Sequence, residues 1–145
     1  MTIRQAQSED RAELLRLSES LIGEISNGRG GVDLRRDLCT HLGCDDASLA
    51  ARLAAAASTG WVAENERICG FSAWLDGVGV VYVEPAQRQT GMGRHLYAAM
   101  ATTHHSIDLW VRPGDRAAKS FGEAVGLKAR KLIMNEPLDG DVEEQ

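Results

Sequence analysis

Apolar residues near the start of the chain recur at the spacing of an amphipathic helix. Gaps of three or four positions place them on one face of a helix over residues 9–25. These apolar positions are Leu14, Leu17, Leu21 and Ile25. Ser8 stands directly before the helix, where its hydroxyl can accept a hydrogen bond from one of the first free amides. Residues 2–5 are predicted to form a short strand ahead of this helix.

A glycine-rich stretch then separates this helix from further helical segments. Residues 27–31 contain three glycines, which break the periodicity and predict a flexible segment. Residues 32–41 are charged and compatible with a helix. Residues 48–57 are rich in alanine and leucine, which predicts a helix, and Gly60 follows as its stop signal.

The middle of the chain has the composition of β-strands. Residues 61–63 and 68–75 are apolar, with β-branched and aromatic side chains, and the polar residues between them suit a hairpin turn. Asp76 and Gly77 form a dipeptide typical of tight turns. Residues 78–83 follow with valines on both faces, which predicts a strand in the interior of the sheet.

The second half of the chain predicts a strand, a glycine loop, a helix and a strand in that order. The helix is expected over residues 93–103 and the strand over residues 107–111, so the two strands should be parallel with a right-handed crossover. Asp115 can cap a short helix that Gly126 ends. Residues 127–134 are predicted to form a last strand.

Length and composition limit the classes of protein. The chain has 145 residues, of which 43% are hydrophobic and 26% charged, so we expect one folded core. The net charge is −5 and the basic residues are scattered, which argues against a nucleic-acid partner. No segment approaches the ~20 apolar residues of a membrane span or the apolar core of a signal peptide. We therefore expect no membrane partner and a cytoplasmic location.

The cysteines do not predict a metal site. Cys39, Cys44 and Cys69 are odd in number, which suits free thiols in a reducing compartment. His41 lies between the first two, but a fourth ligand at zinc spacing is missing. We predict no bound metal.

The segment between the interior strand and the next helix carries the clearest chemistry. It contains Arg88, two residues, Gly91, one residue and Gly93, followed by Arg94. Amides at a helix N-terminus lack intrahelical partners and, with the helix dipole, attract phosphate oxygens. Two glycines allow an anion to approach the backbone, and the arginines add positive charge. The pattern favours a diphosphate ligand over the alternative, a tight turn that binds nothing.

This loop resembles the pyrophosphate loop of the GNAT superfamily of N-acetyltransferases, which reads Arg or Gln, two residues, Gly, one residue, and Gly or Ala. The similarity extends over residues 2–25 and 61–134, and residues 27–57 carry no family signature. The resemblance implies a single α/β domain over residues 1–138, followed by an acidic tail over residues 139–145. Its sheet would be central, mixed, mostly antiparallel and twisted, flanked by helices, with a parallel βαβ pair at the cofactor site.

By the same resemblance the cosubstrate is acetyl-CoA. The residues implied to bind it are Val81, Tyr82 and Val83 through their backbone, Arg88, Gln89, Thr90, Gly91, Met92, Gly93 and Arg94 in the loop, and Asp115, Ala118 and Phe121 beyond it. Asp115 replaces the usual asparagine. Gly122 stands where many relatives carry a tyrosine that protonates the departing thiolate.

The implied reaction moves the acetyl group from acetyl-CoA to a primary amine by direct attack, with a small molecule or a peptide as acceptor. Asp76 is the candidate base and Tyr82 a candidate hydrogen-bonding partner of the substrate. The alternatives without catalysis are that Asp76 is only a turn residue before Gly77 and that Tyr82 is only a packing residue. Because of Gly122, a non-catalytic acyl-CoA-binding or regulatory module is the alternative. A nucleotide-binding domain is disfavoured by the missing Gly-Lys-Ser/Thr motif, and a homodimer is left open.

Overall fold

The structure is a computed structural model that describes residues 1–136 and 138–142. Its strands are Thr2–Gln5 (β1), Trp61–Asn65 (β2), Arg67–Leu75 (β3), Val78–Val83 (β4) and Asp108–Leu109 (β5). Its α-helices are Arg11–Ser26 (α1), Gly31–Leu42 (α2), Leu49–Ala57 (α3), Met92–Ala101 (α4) and Arg116–Ala124 (α5). Residue 137 of the predicted domain and residues 143–145 of the predicted acidic tail lie outside the described residues.

The strands form one mixed sheet in the order β1-β2-β3-β4-β5. β1 to β4 pair with their neighbours in antiparallel fashion, and β5 pairs with β4 in parallel. A turn at Asp76 and Gly77, both with positive φ, joins β3 to β4, as the sequence predicts. The mixed sheet with a parallel βαβ pair confirms the predicted fold class.

Helices cover both faces of this sheet. α1, α2 and α3 pack on one face, because their apolar stripes meet the alternate strand residues that point toward them. α4 covers the other face. The first core includes Leu14, Leu17, Leu38, Leu53, Phe71 and Tyr82. The second consists of Ala63, Cys69, Val83, Met92 and Leu96. Within the described residues, no helix is both long and apolar enough to cross a membrane.

The start of α1 differs from the prediction. A 3₁₀ turn at Ser8–Asp10 precedes the helix, and Ser8 lies inside that turn rather than capping the helix. The Asp10 carboxylate accepts a hydrogen bond from the amide of Gln7 at 2.8 Å. Arg4 holds the same carboxylate through two hydrogen bonds. Asp10 is thus the reciprocal half of a capping box with Gln7 at the 3₁₀ turn, and its side chain makes no capping hydrogen bond to α1 itself.

The end of the sheet also differs. The strand predicted over residues 107–111 is only two residues long, and the strand predicted over residues 127–134 is absent, so both predictions were wrong in extent or existence. Three apolar residues of that last segment are largely exposed: Leu132 at 79%, Ile133 at 63% and Met134 at 87%. A strand requires a neighbouring edge to pair with, and the short β5 offers almost none.

Candidate functional site

Within the part of the chain that the structure describes, one side of β4 has no strand partner over most of its length. β3 pairs with every residue of β4, from Gly70 opposite Val83 to Leu75 opposite Val78. β5 pairs only with Val78 and Gly79. The side of residues 80–83 that faces β5 is therefore unpaired, and we call it the open edge.

Close packing at one glycine holds β5 against the start of β4. A Cβ at Gly79 would lie 2.6 Å from Ile107 Cγ2 and 2.9 Å from Met100 Cε, so only glycine lets these neighbours approach β4. Beyond β5, the Arg112 guanidinium packs on Gly28, where a Cβ would lie 2.0 Å from its Cζ. The chain after β5 therefore packs on the turn between α1 and α2 and does not continue the pairing along residues 80–83 of β4.

The alternation of backbone groups along β4 determines which of them reach the open edge. The amide of Glu84 donates to the Cys69 carbonyl at 2.9 Å, so residue 84 faces β3. The Tyr82 carbonyl also faces β3, because a Cβ at Gly70 would lie 2.9 Å from it. Backbone groups in a strand point to alternate sides. The backbones of Val81 and Val83 therefore face the open edge, and that of Tyr82 belongs to the ladder with β3.

The glycine loop joins this edge to the start of α4. A 3₁₀ turn at Pro85–Gln87 leads into the loop, where Gln89 has φ of 66° and Gly91 of 86°. The Thr90 hydroxyl donates to the Gln87 carbonyl at 2.8 Å. α4 then begins at Met92, so its first amides, including those of Met92, Gly93 and Arg94, have no intrahelical acceptor. The predicted anion-binding amides lie beside the end of the open edge.

Arg88 does not point its charge at these amides. Its Nε donates to the Val83 carbonyl at 2.8 Å, and a terminal nitrogen donates to both oxygens of Glu24 at 3.0 and 2.8 Å. The guanidinium also lies over the Tyr82 ring, 5.6 Å from its centroid. The side chain of Arg88 therefore ties the loop to β4 and α1, whereas Arg94 lies exposed on the first turn of α4.

Glu24 is a residue of this region that sequence reasoning missed. Besides Arg88, its carboxylate accepts a hydrogen bond from the Tyr82 hydroxyl at 3.0 Å. A signal was present, because Glu24 continues the apolar spacing of Leu17 and Leu21 on α1. A carboxylate on the apolar side of a helix lies close to the sheet, where an oppositely charged partner stabilises it.

The two candidate catalytic side chains, Tyr82 and Asp76, lie in different environments. Tyr82 is buried, and burial, followed by the Glu24 hydrogen bond, raises its pKa to about 12. Asp76 is exposed in the turn before β4, at the opposite end of the strand from the loop. At about 3.3 Å per residue, Asp76 is roughly 17 Å along the strand from Val81. Its role as a base stays a prediction.

Of the residues predicted at α5, Phe121 lies beside the start of α4. The Asp115 carboxylate accepts from the Ala118 amide at 3.0 Å and so caps α5, as predicted. The ring of Phe121 packs against the first turn of α4, where a Cβ at Gly93 would lie 3.1 Å from it. Gly122 is buried, yet a Cβ there would meet nothing within 4 Å. The helix thus leaves room at Gly122.

No protein-family model and no curated protein matches the sequence. Solved structures do match the fold. The ribosomal-protein-alanine N-acetyltransferase of Brucella melitensis biovar Abortus 2308 has a TM-score of 0.59 at 15% identity, over 95% of this chain and 100% of that chain. The aminoglycoside N-acetyltransferase AAC(6')-Iy, in complex with the bisubstrate analog CoA-S-monomethyl-acetylneamine, has a TM-score of 0.57 at 16% identity, over 94% and 97%.

A third similar structure carries the family name. It is a GNAT family acetyltransferase from Brucella melitensis in complex with acetyl-CoA, with a TM-score of 0.51 at 20% identity, over 88% of this chain and 82% of that chain. All three similarities span most of both chains, and the open edge of β4 leads directly into the predicted glycine loop. The chain therefore has the fold of the GNAT acetyltransferases.

Proposed function

We propose that this protein transfers an acetyl group from acetyl-CoA to a primary amine. The observation that carries the proposal is the open edge of β4, which ends at the free amides of α4. An extended chain with amide groups can pair with such an edge as an added strand does, and the pantetheine arm of CoA has that character. Solved proteins of the same fold are N-acetyltransferases bound to CoA or acetyl-CoA, which supports this assignment.

In this proposal the chain itself supplies binding and orientation. The backbone of Val81 and the amide of Val83 pair with the pantetheine arm, and the amides of Met92, Gly93 and Arg94 hold the pyrophosphate. The Val83 carbonyl already accepts a hydrogen bond from Arg88. The pantetheine arm would therefore meet mainly the two amides and the Val81 carbonyl.

The transfer step requires a neutral amine beside the thioester. The amine nitrogen attacks the carbonyl carbon, the carbon–sulfur bond breaks, and the sulfur leaves as thiolate. The nitrogen loses one proton to solvent water and the sulfur gains one, so the products are the amide and free CoA. A strand amide of the open edge can polarise the carbonyl oxygen. Gly122 offers no hydroxyl, so we assign protonation of the thiolate to solvent.

Gly122 also favours a second candidate function, a module that binds acyl-CoA without turning it over. The two candidates share the cosubstrate site and differ in the release of free CoA. We would supply acetyl-CoA with a panel of small amines, polyamines, aminoglycosides and peptide N-termini, and detect the thiol. Amine-dependent thiol release supports the enzyme, and binding without release across the panel supports the module.

The first test is binding of CoA, measured as a shift in the melting temperature. A ligand that binds only the folded state stabilises it by about 2.7 kcal/mol at a hundred times its Kd, and about 2–4 °C accompany each kcal/mol in a domain of this size. We expect a clear upward shift for the parent. Gly91→Glu should abolish it, since the substitution places bulk and negative charge where the pyrophosphate would bind.

Gly43→Glu is the matched control for that variant. Gly43 also has positive φ, but it ends α2 rather than preceding α4. A Cβ at Gly43 would meet nothing within 4 Å, and one at Gly91 would meet only the His95 ring at 3.8 Å. Both variants should lose stability through backbone strain, and only Gly91→Glu should lose the response to CoA. No shift for the parent at millimolar CoA, or equal shifts for both variants, would remove the proposal.

A further inference from the structure

Two charged side chains join the glycine loop to the helical layer of the protein. Arg88, at the start of the loop, and Glu24, in the last two turns of α1, lie 64 positions apart in sequence. Two hydrogen bonds of 3.0 and 2.8 Å connect them. We propose that Glu24 is a positioning residue that acts through Arg88 to set the conformation of the loop for its ligand. This inference rests on the proposed function for the identity of that ligand.

The Arg88 guanidinium has three partners, all within the protein. They are the Glu24 carboxylate, the Val83 carbonyl and the face of the Tyr82 ring. A guanidinium held this way determines where the backbone of its own residue lies, because the planar group has few ways to satisfy all of these contacts. The role of Arg88 is thus to shape the loop, and positive charge for the anion must come from amides and from Arg94.

The loop needs such an anchor because part of its backbone is strained. Gln89, directly after Arg88, has φ of 66°, a conformation that residues with a Cβ rarely adopt. Conformations of this kind persist when the surroundings determine them. Arg88 fixes one side of Gln89, and the start of α4 fixes the other. Loss of the Glu24 contact would let Gln89 relax and move the amides apart.

Glu24 is itself held by a rigid support. Leu14 and Leu17, on the same helix, are fully buried in the first core. The Tyr82 hydroxyl donates to the Glu24 carboxylate from β4. The carboxylate is thereby fixed relative to both α1 and the open edge, so the geometry of the loop follows that of the sheet.

The test compares Glu24→Gln with Glu13→Gln as the matched control. Glu13 lies on the same helix and pairs with Arg16 at 2.8 Å, and its side chain is 42% exposed against 40% for Glu24. In the ligand-free protein, we expect the backbone amide NMR signals of residues 89–94 to shift in Glu24→Gln and to stay unchanged in Glu13→Gln. We also expect CoA to bind about tenfold more weakly, the loss typical of a charged hydrogen bond.

Steady-state kinetics distinguish a role of Glu24 in positioning the loop from a general loss of folded structure. Glu24→Gln should raise the KM for acetyl-CoA about tenfold, with kcat at saturation close to that of the parent. Arg88→Gln breaks the same contact from the exposed loop and should reproduce the effect, which covers the case of a poorly folded Glu24 variant. In the Arg88→Gln background, Glu24→Gln should add little, since the two residues act as one unit.

Unchanged amide NMR signals of residues 89–94 in Glu24→Gln would overturn the inference, and so would additive effects of the two substitutions. A parent protein that binds no CoA would refute the proposed function instead. The NMR comparison is made without ligand, so it still decides whether Glu24 positions the loop.

Discussion

At the scale of single residues, Asp10 shows how a buried carboxylate is stabilised. It is 6% exposed and accepts hydrogen bonds from two nitrogens of Arg4, at 2.8 and 3.0 Å, and from the Gln7 amide at 2.8 Å. The Arg4 hydrogen bonds, and then the backbone bond and charge of the pair, outweigh burial and lower the pKa of Asp10. The ionised form therefore stabilises the folded state.

The stability of the protein should depend on pH through this carboxylate. A lowered folded-state pKa contributes stability above the unfolded pKa of about 3.9, and that stability is lost as the pH falls below it. Asp10→Asn should lower the free energy of unfolding by about 1.5–3 kcal/mol at pH 7. The difference from the parent should shrink at pH 3, as measured by urea denaturation.

Asp37→Asn serves as the control for Asp10. The Asp37 carboxylate is 47% exposed and has Arg36 as a partner at 3.5 Å, so its removal should change stability little at either pH. An Asp10→Asn penalty that stayed the same at pH 3 and pH 7 would contradict the assigned role of the charge.

At the scale of elements, two glycines differ in whether the structure has room for the methyl group of an alanine. Gly23 lies inside α1, and a Cβ there would meet nothing within 4 Å. Gly60 lies between α3 and β2, and a Cβ there would be 2.2 Å from the Ser72 carbonyl oxygen of β3. Only the second glycine is required by packing.

Alanine substitutions at these glycines should therefore have opposite effects. Gly23→Ala should stabilise the protein by up to about 1 kcal/mol, since alanine has the higher helix propensity. Gly60→Ala should destabilise it by about 1–3 kcal/mol, because the new methyl group must displace backbone. Urea midpoints of the two variants check both signs. A loss at Gly23 or a neutral result at Gly60 would show that the packing of these elements is misjudged.

The elements that sequence predicts well are those specified by local patterns. The helical stripe of α1, the alanine-rich α3 and the valines of β4 each carry their period within a few turns or residues, and the structure has them close to the predicted bounds. Residues 127–134 have strand composition but find no edge. The composition of a segment indicates whether it suits a sheet, but not whether a partner strand is available. The prediction of a strand over residues 127–134 was therefore wrong.

In the candidate site too, features that depend on local sequence were predictable and those that depend on distant contacts were not. The glycine loop was predictable, because Gly91 and Gly93 lie between a strand and a helix that are both visible in the sequence. The pairing of Glu24 with Arg88 was not, since nothing local links two residues of opposite charge so far apart. The extent of the open edge of β4 likewise depends on long-range contacts, such as that of Arg112 with Gly28 after β5. Such contacts exist only once the chain is folded.

At the scale of the whole molecule, the sheet joins two kinds of strand pairing. β2, β3 and β4 are connected by short turns, so these pairs form between neighbours in the chain. β1 pairs with β2, from Thr2 opposite Glu64 to Gln5 opposite Trp61, although residues 6–60 and three helices lie between them. The first strand of the chain thus closes the longest loop in the sheet.

This connectivity has a consequence for the order of folding. Closing a long loop costs more chain entropy than closing a short one, so the hairpins of β2 to β4 should form in the transition state and β1 should dock after it. Phe71→Leu, in β3, should mainly slow folding, whereas Ile3→Ala, in β1, should mainly speed unfolding. Stopped-flow rates that showed the reverse would contradict this order. On the ribosome, the strand synthesised first would therefore wait for residues 61–65 to emerge before it could pair.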